Sequence, residues 1–288
     1  MTSKLAAAAI IALSAQAALA APTLVVPGGR SLDPFGGIDW ASNGTAFTTG
    51  FDQAAANAGR EFSYTTTFFA YATPDSGIQS PAGLSYIVPN LVGGAQTGAL
   101  PGSPFELTTV ATFNETGRCA VGGASCDFTI TGGRFDVYLD ISPNARTGAA
   151  ASLGQYQDGA RIIGGRVDSG MSNFNLTPDA GGTGSQSVLG TVEFTNAAYL
   201  SPNLVGTSAT GTLQIGTART NYMAPGFCSS TGMGMDVRGC LAFQTDANQS
   251  FSFAGDNPRN PVPVPGTLLL LGSVLAGVAL TRTARASH

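Results

Sequence analysis

The sequence predicts an all-β protein: an antiparallel β-sandwich, jelly-roll-like or similar, followed by a short C-terminal hydrophobic helix. Apolar and polar residues alternate with period two in several segments, which is the pattern of half-buried strands. Between these segments no window of helical length keeps a 3.6-residue period. The chain also has 39 Gly, 16 Pro and only 10% charged residues, a composition rich in turns and poor in charge.

The clearest strand covers residues 134–141, where Phe135, Val137, Leu139 and Ile141 share one face and polar residues alternate with them. Runs of β-branched and aromatic residues bounded by Gly, Pro, Asn or Asp predict further strands. These runs are residues 61–72, 106–113, 127–131, 187–195, 211–218 and 250–253.

The strands are expected to form one domain over residues 21–260. Residues 52–58 offer one or two helical turns, too few to be stable alone. The Gly-Gly pairs at 164–165 and 181–182 are interpreted as turns. Residues 177–186 have the composition of a linker, so two small sandwiches remain an alternative.

Residues 1–20 have the pattern of a secretory signal peptide. Lys4 precedes an apolar run, and Ala18-Leu19-Ala20 supplies small residues at a cleavage site before Ala21. The segment is too short and too weakly flanked for a membrane-spanning helix. The alternative is an amphipathic start that is retained. We therefore expect an exported chain that begins near Ala21.

Four cysteines agree with export, because disulfides persist in oxidising compartments. Cys119 and Cys126 flank one Gly-rich stretch, and Cys228 and Cys240 flank another. Four thiols allow three connectivities, of which 119–126 and 228–240 need only local loops. Each bridge is expected to contribute roughly 2–3 kcal/mol. Zinc is disfavoured, since there is no CxxC pair and the single histidine is His288.

Charge and residue types exclude several functions. Residues 21–260 carry ten arginines against all seventeen acidic residues, a balance that argues against nucleic acid. His288 is the last residue and the only histidine, which excludes a Ser-His-Asp triad and a multi-histidine metal site. No cofactor is predicted.

Three groups of residues are candidates for a binding or catalytic site. Asp136 and Asp140, beside Tyr138, are about 13 Å apart by strand rise, too far for either hydrolytic geometry of a glycosidase. They are expected to form a solvated strand face near Arg134. Residues 168–175 and 179–182 offer oxygen ligands for calcium without EF-hand spacing, so both are interpreted as turns. The aromatic residues available for stacking on a sugar are Trp40, Tyr71, Tyr86, Tyr138, Tyr156, Tyr199 and Tyr222.

The last 28 residues, 261–288, have three parts. Pro261, Pro263 and Pro265 separate the segment from the body, residues 266–280 contain no charge, and Arg282 and Arg285 follow. Fifteen uncharged residues fall short of the roughly 20 that span a bilayer untilted. A helix buried in the β domain is the alternative. The order of proline, apolar run and basic end favours a membrane stop.

This order resembles the PEP-CTERM class of bacterial C-terminal sorting signals, which exosortases recognise. Its motif positions are Val262, Pro263, Val264, Pro265, Gly266, Thr267, Arg282 and Arg285. Val264 replaces the glutamate of the commonest members, which moves the motif toward the Val-Pro-Leu-Pro variant. The resemblance implies an exosortase-like processing enzyme as a partner, with residues 266–281 as a transient or stable anchor.

The body is similar to flocculation-associated PEP-CTERM proteins over residues 106–117, 135–145, 156–167 and 187–195. That similarity implies a non-enzymatic protein of the cell surface or extracellular matrix of a bacterium. Its expected partners are extracellular polysaccharide or neighbouring surface proteins, and its expected role is in flocculation or biofilm. The alternatives are a carbohydrate-binding module with one defined sugar site and a secreted glycan-active enzyme.

Overall fold

The structure is a computed structural model. It describes residues 23–26, 30–32, 35–72, 78–79, 85–86, 105–142, 144–146, 150–176, 182–216, 225–228 and 240–251. The predicted signal peptide and the whole of the predicted sorting segment, including its hydrophobic helix, lie outside these residues.

The described residues form mostly antiparallel β-structure. The strands are β1 Thr23–Val26, β2 Arg30–Leu32, β3 Gly37–Thr49, β4 Phe62–Tyr71, β5 Ile78–Gln79, β6 Ser85–Tyr86, β7 Glu106–Cys119, β8 Ser125–Asp140, β9 Ala160–Leu176, β10 Gly182–Thr195, β11 Leu200–Ser201, β12 Ser208–Gly216 and β13 Cys240–Phe251. A short helix α1, Gln53–Asn57, and a 3₁₀ helix, Leu153–Tyr156, join them.

Eight strands close on themselves in chain order. β3, β4, β7, β8, β9, β10, β12 and β13 each pair with the next, and β13 returns to pair with β3. Every one of these pairings is antiparallel. We call these eight strands the closed sheet. The predicted all-β, antiparallel class is therefore confirmed, whereas the strands follow one continuous ladder rather than the two stacked sheets that the sequence suggested.

The interior of the closed sheet holds the main core. Phe68, Phe113, Phe135, Val137 and Val167 lie in one buried cluster. Trp40 joins this cluster with 2% of its surface exposed. Eight closed strands leave an interior that side chains can fill or that can hold one small ligand.

Different elements lie at the two ends of the closed sheet. At the end where β8 passes to β9, β1 pairs with β11 and with β2 in a separate three-stranded sheet. Leu24 and Leu200 of that sheet belong to the main core cluster. At the opposite end α1 packs its buried Ala55 and Ala56 against Cys119. The side chain of Asp52 caps α1 by accepting from the Ala55 N–H at 2.9 Å.

Part of the outer surface of the closed sheet is covered. Outward-facing residues of β13, β3, β4 and β7, among them Phe47, Phe69 and Val110, are buried in a second cluster. Tyr156 of the 3₁₀ helix packs on Phe69 with ring centroids 4.7 Å apart. The buried Glu106 carboxylate accepts from the backbone N–H groups of Asn144 and Ala145, at 2.9 and 3.1 Å, and so fixes the covering segment. We call this the covered face.

The structure corrects the interpretation of β9 as turns. The Gly-Gly pair 164–165 and residues 168–175 lie inside this 17-residue strand. Position 165 has room only for glycine, because a Cβ would lie 2.1 Å from the Thr191 carbonyl oxygen and 2.7 Å from the Phe135 ring. Residues 177–186 have the composition of a linker, but Gly182 is the first residue of β10 and pairs with Leu176 of β9.

The predicted strand at residues 134–141 is confirmed except for its last residue. Phe135, Val137 and Leu139 are buried, whereas 64% of the Ile141 surface is exposed. The strand ends at Asp140, whose carboxylate accepts from the Ser142 N–H at 2.9 Å and turns the chain. The short helix expected within residues 52–58 is present as α1.

Candidate functional site

The structure forms both disulfides that the sequence favoured. Cys119 and Cys126 face each other across the β7–β8 hairpin, where their Cα atoms are 3.9 Å apart. Cys228 bonds to Cys240 at the start of β13, and both are buried under the covered face. There are no free cysteines among the described residues. Two disulfides agree with an oxidising environment such as the cell exterior.

Asp136 and Asp140 do not form the solvated face that was expected. Asp136 is paired with Arg161, at 2.5 Å, and not with Arg134. Burial raises the pKa of Asp136, and this effect outweighs the opposing influence of the nearby arginines. Asp140 is 8% exposed and holds the turn at Ser142. Tyr138 lies half-buried between them. The two carboxylates therefore hold local structure.

The aromatic residues considered for sugar stacking are mostly not available at the surface. Trp40 and Tyr156 are buried, at 2% and 1% exposure, because they fill the interior and the covered face. Tyr71, Tyr138 and Tyr199 are half-buried. The Tyr86 side chain and Tyr222 lie outside the described structure.

An exposed polar surface lies on the outside of another part of the closed sheet. Strand register places its side chains in three rows that run across β8, β9, β10, β12 and β13. We call this surface the polar face. Its thirteen exposed residues are Asp127, Asn173, Ser185 and Gln214 in the first row, Thr129, Met171, Ser187, Thr212 and Asn248 in the second, and Ser169, Leu189, Thr210 and Ser250 in the third.

Hydroxyl and amide groups dominate the polar face. Ten of its thirteen side chains carry one of these groups, and only Asp127 is charged. Each hydroxyl or amide both donates and accepts hydrogen bonds. Within the face, Asn173 Nδ2 donates to Ser185 Oγ at 3.1 Å. The surface can therefore hydrogen-bond to neutral polar groups of either kind at many points.

A shallow depression lies within the polar face, between β8, β9 and β10. The exposed residues around it are Asp127, Thr129, Met171, Asn173, Ser185 and Ser187. Met171 is 74% exposed, which places one flexible apolar side chain among the hydroxyls. A ligand with polar edges and an apolar side would satisfy both kinds of group.

Charged side chains are gathered beside the polar face. Arg166 binds Asp168 at 2.5 Å and Glu193 at 3.3 Å, and Arg134 lies 3.9 Å from Glu193. Thr191 Oγ1 donates to Asp168 Oδ2 at 2.6 Å, which with Arg166 lowers the pKa of Asp168. These charges neutralise one another, so the polar face carries little net field.

The described residues contain neither a metal cluster nor a membrane-spanning helix. In them, no group of three or more His, Cys, Asp and Glu side chains is placed to hold a metal ion. Within the same ranges, no helix combines the length and the apolar character needed to cross a bilayer.

The chain matches no protein-family model, no curated protein and no solved structure.

The polar face itself was missed as a site by sequence reasoning. Its β9 residues, such as Ser169, Met171 and Asn173, lie in a stretch with turn-like composition. The available signal was the alternation in β12, where Thr210, Thr212 and Gln214 alternate with the buried Ala209 and Leu213. Only the register between strands shows that such residues form rows.

Proposed function

We propose that this chain is an exported, non-enzymatic protein of the bacterial cell surface or extracellular matrix, which associates with neutral polysaccharide through its polar face. The observation that carries the proposal is the dominance of hydroxyl and amide side chains among the thirteen residues of that face. Many weak contacts to a repeating polymer add through multivalency, so no single deep pocket is needed.

The predicted ends of the chain support delivery to that location. A signal peptide at residues 1–20 would direct export. The segment 261–288 resembles an exosortase-recognised sorting signal and would hold the chain at the membrane during processing. A role in flocculation or biofilm follows from a surface protein that binds the polymer around the cell.

The polar face is tested by co-sedimentation of the full chain with dextran as a neutral polysaccharide. The test variant combines Ser187→Ala with Thr212→Ala, which are neighbours in the second row. The control combines Thr49→Ala with Ser142→Ala, since both are exposed and lie off the face. Each pair removes one serine and one threonine hydroxyl.

A net hydrogen bond is worth about 0.5–1.5 kcal/mol, so the test pair is expected to weaken binding by at least about fivefold. The control pair should bind as the wild type does. The proposal fails if wild-type protein does not sediment with dextran, or if both pairs lose binding equally.

The sorting segment is tested in cells. Replacing Leu269, Leu270 and Leu271 with aspartate should abolish retention, because each charge costs about 2.5–3.5 kcal/mol at a helix centre in a membrane. We expect secretion of a body with an unchanged circular dichroism spectrum and melting temperature. An unfolded body would show instead that the apolar run is core.

The depression around Met171 favours a second candidate, a carbohydrate-binding module with one defined sugar site. This candidate requires saturable, one-to-one binding of a short oligosaccharide such as isomaltotriose. The surface-matrix proposal requires affinity that rises with polymer length. Titration calorimetry with dextran fragments of increasing length separates the two.

A further inference from the structure

Two acidic residues lie opposite each other where the covering segment, which joins β8 to β9, leaves the closed sheet. Glu106 is the first residue of β7, Asp140 is the last residue of β8, and strand register pairs them directly. Their neighbours Leu107 and Leu139 belong to the main core, so both carboxylates leave the outer side of the sheet, with Cβ atoms about 4.5–5.5 Å apart. Like charges in this arrangement are destabilising, and a cation between them would remove the repulsion.

Both carboxylates are withdrawn from water. Glu106 is 1% exposed and Asp140 is 8% exposed. The ion pairs among the described residues use neither of them, because those pairs join arginines 134, 161 and 166 to other acids. Burying a charge is unfavourable unless an opposite charge compensates it. This pair of acids therefore has the charge pattern of a cation site.

The oxygen atoms at this place are held in position, and two of them have no partner. The N–H groups of Asn144 and Ala145 donate to Glu106 Oε1, which leaves Oε2 buried without a donor among the described residues. Asn144 Nδ2 donates to Asp158 Oδ2 at 2.7 Å and so fixes the orientation of the amide, whose Oδ1 is likewise buried and unpartnered. Both unpartnered atoms are acceptors, and they belong to residues that already contact each other.

Glu106 Oε2 differs from the other unpartnered buried atoms in being charged. The other carboxylate oxygen in that group is Asp136 Oδ1, which has Arg161 as its counter-ion. Among the described residues, Glu106 Oε2 is therefore the one carboxylate oxygen that is buried with neither a donor nor an arginine. A neutral hydroxyl without a partner loses a hydrogen bond, whereas this oxygen also lacks a compensating charge.

The electrostatic field around Glu106 is negative. Burial raises the pKa of Glu106, the two backbone hydrogen bonds oppose this effect, and the neighbouring Asp140 and Asp158 add to it. A proton and a metal cation therefore compete for the same carboxylate. Raising the pH favours the cation, because a carboxylate ligand must be ionised.

We propose that a calcium ion binds between β7, β8 and the covering segment, with Glu106, Asp140 and the Asn144 amide oxygen as ligands. Calcium takes about 6–8 oxygen ligands from carboxylates, amide and backbone carbonyls and water, in flexible geometry. The described residues contain no group of three His, Cys, Asp or Glu placed around a metal, so carbonyls and water complete the shell. Magnesium is disfavoured, since it requires a near-ideal octahedron and loses its water reluctantly.

The ion would fasten the covering segment to the closed sheet. Asp158 orients the Asn144 amide and adds negative charge from the exposed side. The site is distinct from residues 168–175, which the sequence offered for calcium and which lie within β9. Glu106 is distant in the sequence from Asn144 and Asp158, so only the fold brings these residues together.

The experiment titrates the full chain with calcium chloride at pH 8 by calorimetry and follows its melting temperature. We expect one saturable site with a Kd of about 0.1–1 mM, the range of extracellular calcium modules. At about 10 mM calcium the melting temperature should rise by roughly 3–10 °C, because the ion binds the folded state. Magnesium should give a smaller rise, and sodium at equal ionic strength should give none.

Two variants remove one charge each from the site. Glu106→Gln keeps the acceptor for the Asn144 and Ala145 N–H groups, and Asp140→Asn keeps the acceptor for the Ser142 N–H. Each variant should weaken calcium binding by at least about tenfold and abolish most of the rise in melting temperature. Circular dichroism spectra establish that the variants fold, and either variant alone is sufficient for the test.

Glu115→Gln is the matched control. Glu115 is also a buried glutamate of β7, at 3% exposure, but it lies inside the closed sheet and accepts from the Tyr64 hydroxyl at 2.8 Å. This variant should bind calcium as the wild type does. Calcium should also slow hydrogen exchange of the Asn144 and Ala145 amides and leave the Ala55 amide of α1, at the opposite end, unchanged.

Two results would overturn the proposal. One is the lack of saturable calcium binding by the wild type at pH 8, which would mean that a proton is the partner of the Glu106 carboxylate. The other is an equal calcium affinity of Glu106→Gln and Glu115→Gln, whether both lose it or both keep it, which would place any bound ion elsewhere.

Discussion

The two halves of the closed sheet use the same strand geometry for opposite purposes. On the covered face, outward residues such as Phe47, Phe69 and Val110 are buried in the second cluster. On the polar face, outward residues such as Ser187 and Thr212 are exposed. The covered half therefore has apolar residues on both sides of its strands and contributes stability, whereas the polar half has them on one side and is available for contact with a ligand.

The largest expected difference comes from removing a ring from the covered face. Phe69 is 1% exposed and packs on Tyr156 and Phe227, so Phe69→Ala should cost about 3–5 kcal/mol. Met171→Ala on the polar face should change stability by less than about 0.5 kcal/mol. Urea denaturation of both variants measures the difference. Equal losses would show that the covering segment does not exclude water.

The second prediction concerns how that cover is attached. Removing Cys228 and Cys240 together by substitution with alanine should cost about 3 kcal/mol on the chain-entropy model. The Cys119–Cys126 bridge closes a shorter loop, so removing it in the same way should cost about 2.5 kcal/mol. Only the first pair should also increase hydrogen exchange at Ala145 and Tyr156. Increased exchange there in both variants would mean that the cover depends on the whole sheet.

The covered half also explains why sequence reasoning succeeded where it did. In β4 and β7 the interior and outer residues are both apolar or β-branched, so strand propensity was strong and both strands were predicted. In β9 the same reasoning failed. Gly164, Gly165 and Gly170 make this segment look like a turn in the sequence. In the structure each of them lies within a strand, where a Cβ would come within 2.4 Å of a neighbouring atom.

Closure of the sheet could not be predicted for a related reason. It depends on the pairing of β13 with β3, which are far apart in the sequence. The alternation of apolar and polar residues in a strand shows which residues are buried, but it does not show which other strand lies beside it. The disulfides, in contrast, are local, and their spacing alone was enough to predict both.

The third prediction compares the pH dependence of the interior with that of the polar face. Burial raises the pKa of Glu115 in the folded protein. Its favourable contribution to the free energy of unfolding is therefore complete at a pH below the pKa of the unfolded state, and it is lost as the pH rises through the pKa of the folded state. Glu115→Gln keeps an acceptor for Tyr64 and should be more stable than wild type at pH 8 but not at pH 4. Thermal melts across this range measure it. If the melting temperatures of wild type and variant change with pH in parallel, the pH dependence comes from a group other than Glu115.

The smallest effect is expected on the polar side, at Asp168. The hydrogen bond from Thr191, together with Arg166, lowers the pKa of Asp168. Its contribution to the free energy of unfolding is therefore present at a pH above the pKa of the unfolded state and is lost as the pH falls, which is the opposite of Glu115. Thr191→Val removes the 2.6 Å hydrogen bond but keeps the side-chain shape. Because the network is exposed, stability should change by less than about 0.5 kcal/mol, whereas the Asp168 pKa, followed by carboxyl NMR, should rise.

Added salt should reduce what remains of the Asp168 shift in that variant, since exposed charges are screened. The matched control is Thr212→Val, which removes an exposed hydroxyl from the polar face without touching Asp168. An Asp168 pKa that moves in the control, or stays fixed in Thr191→Val, would mean that the charges beside the polar face are coupled to its hydroxyl rows. Polysaccharide binding there would then depend on pH.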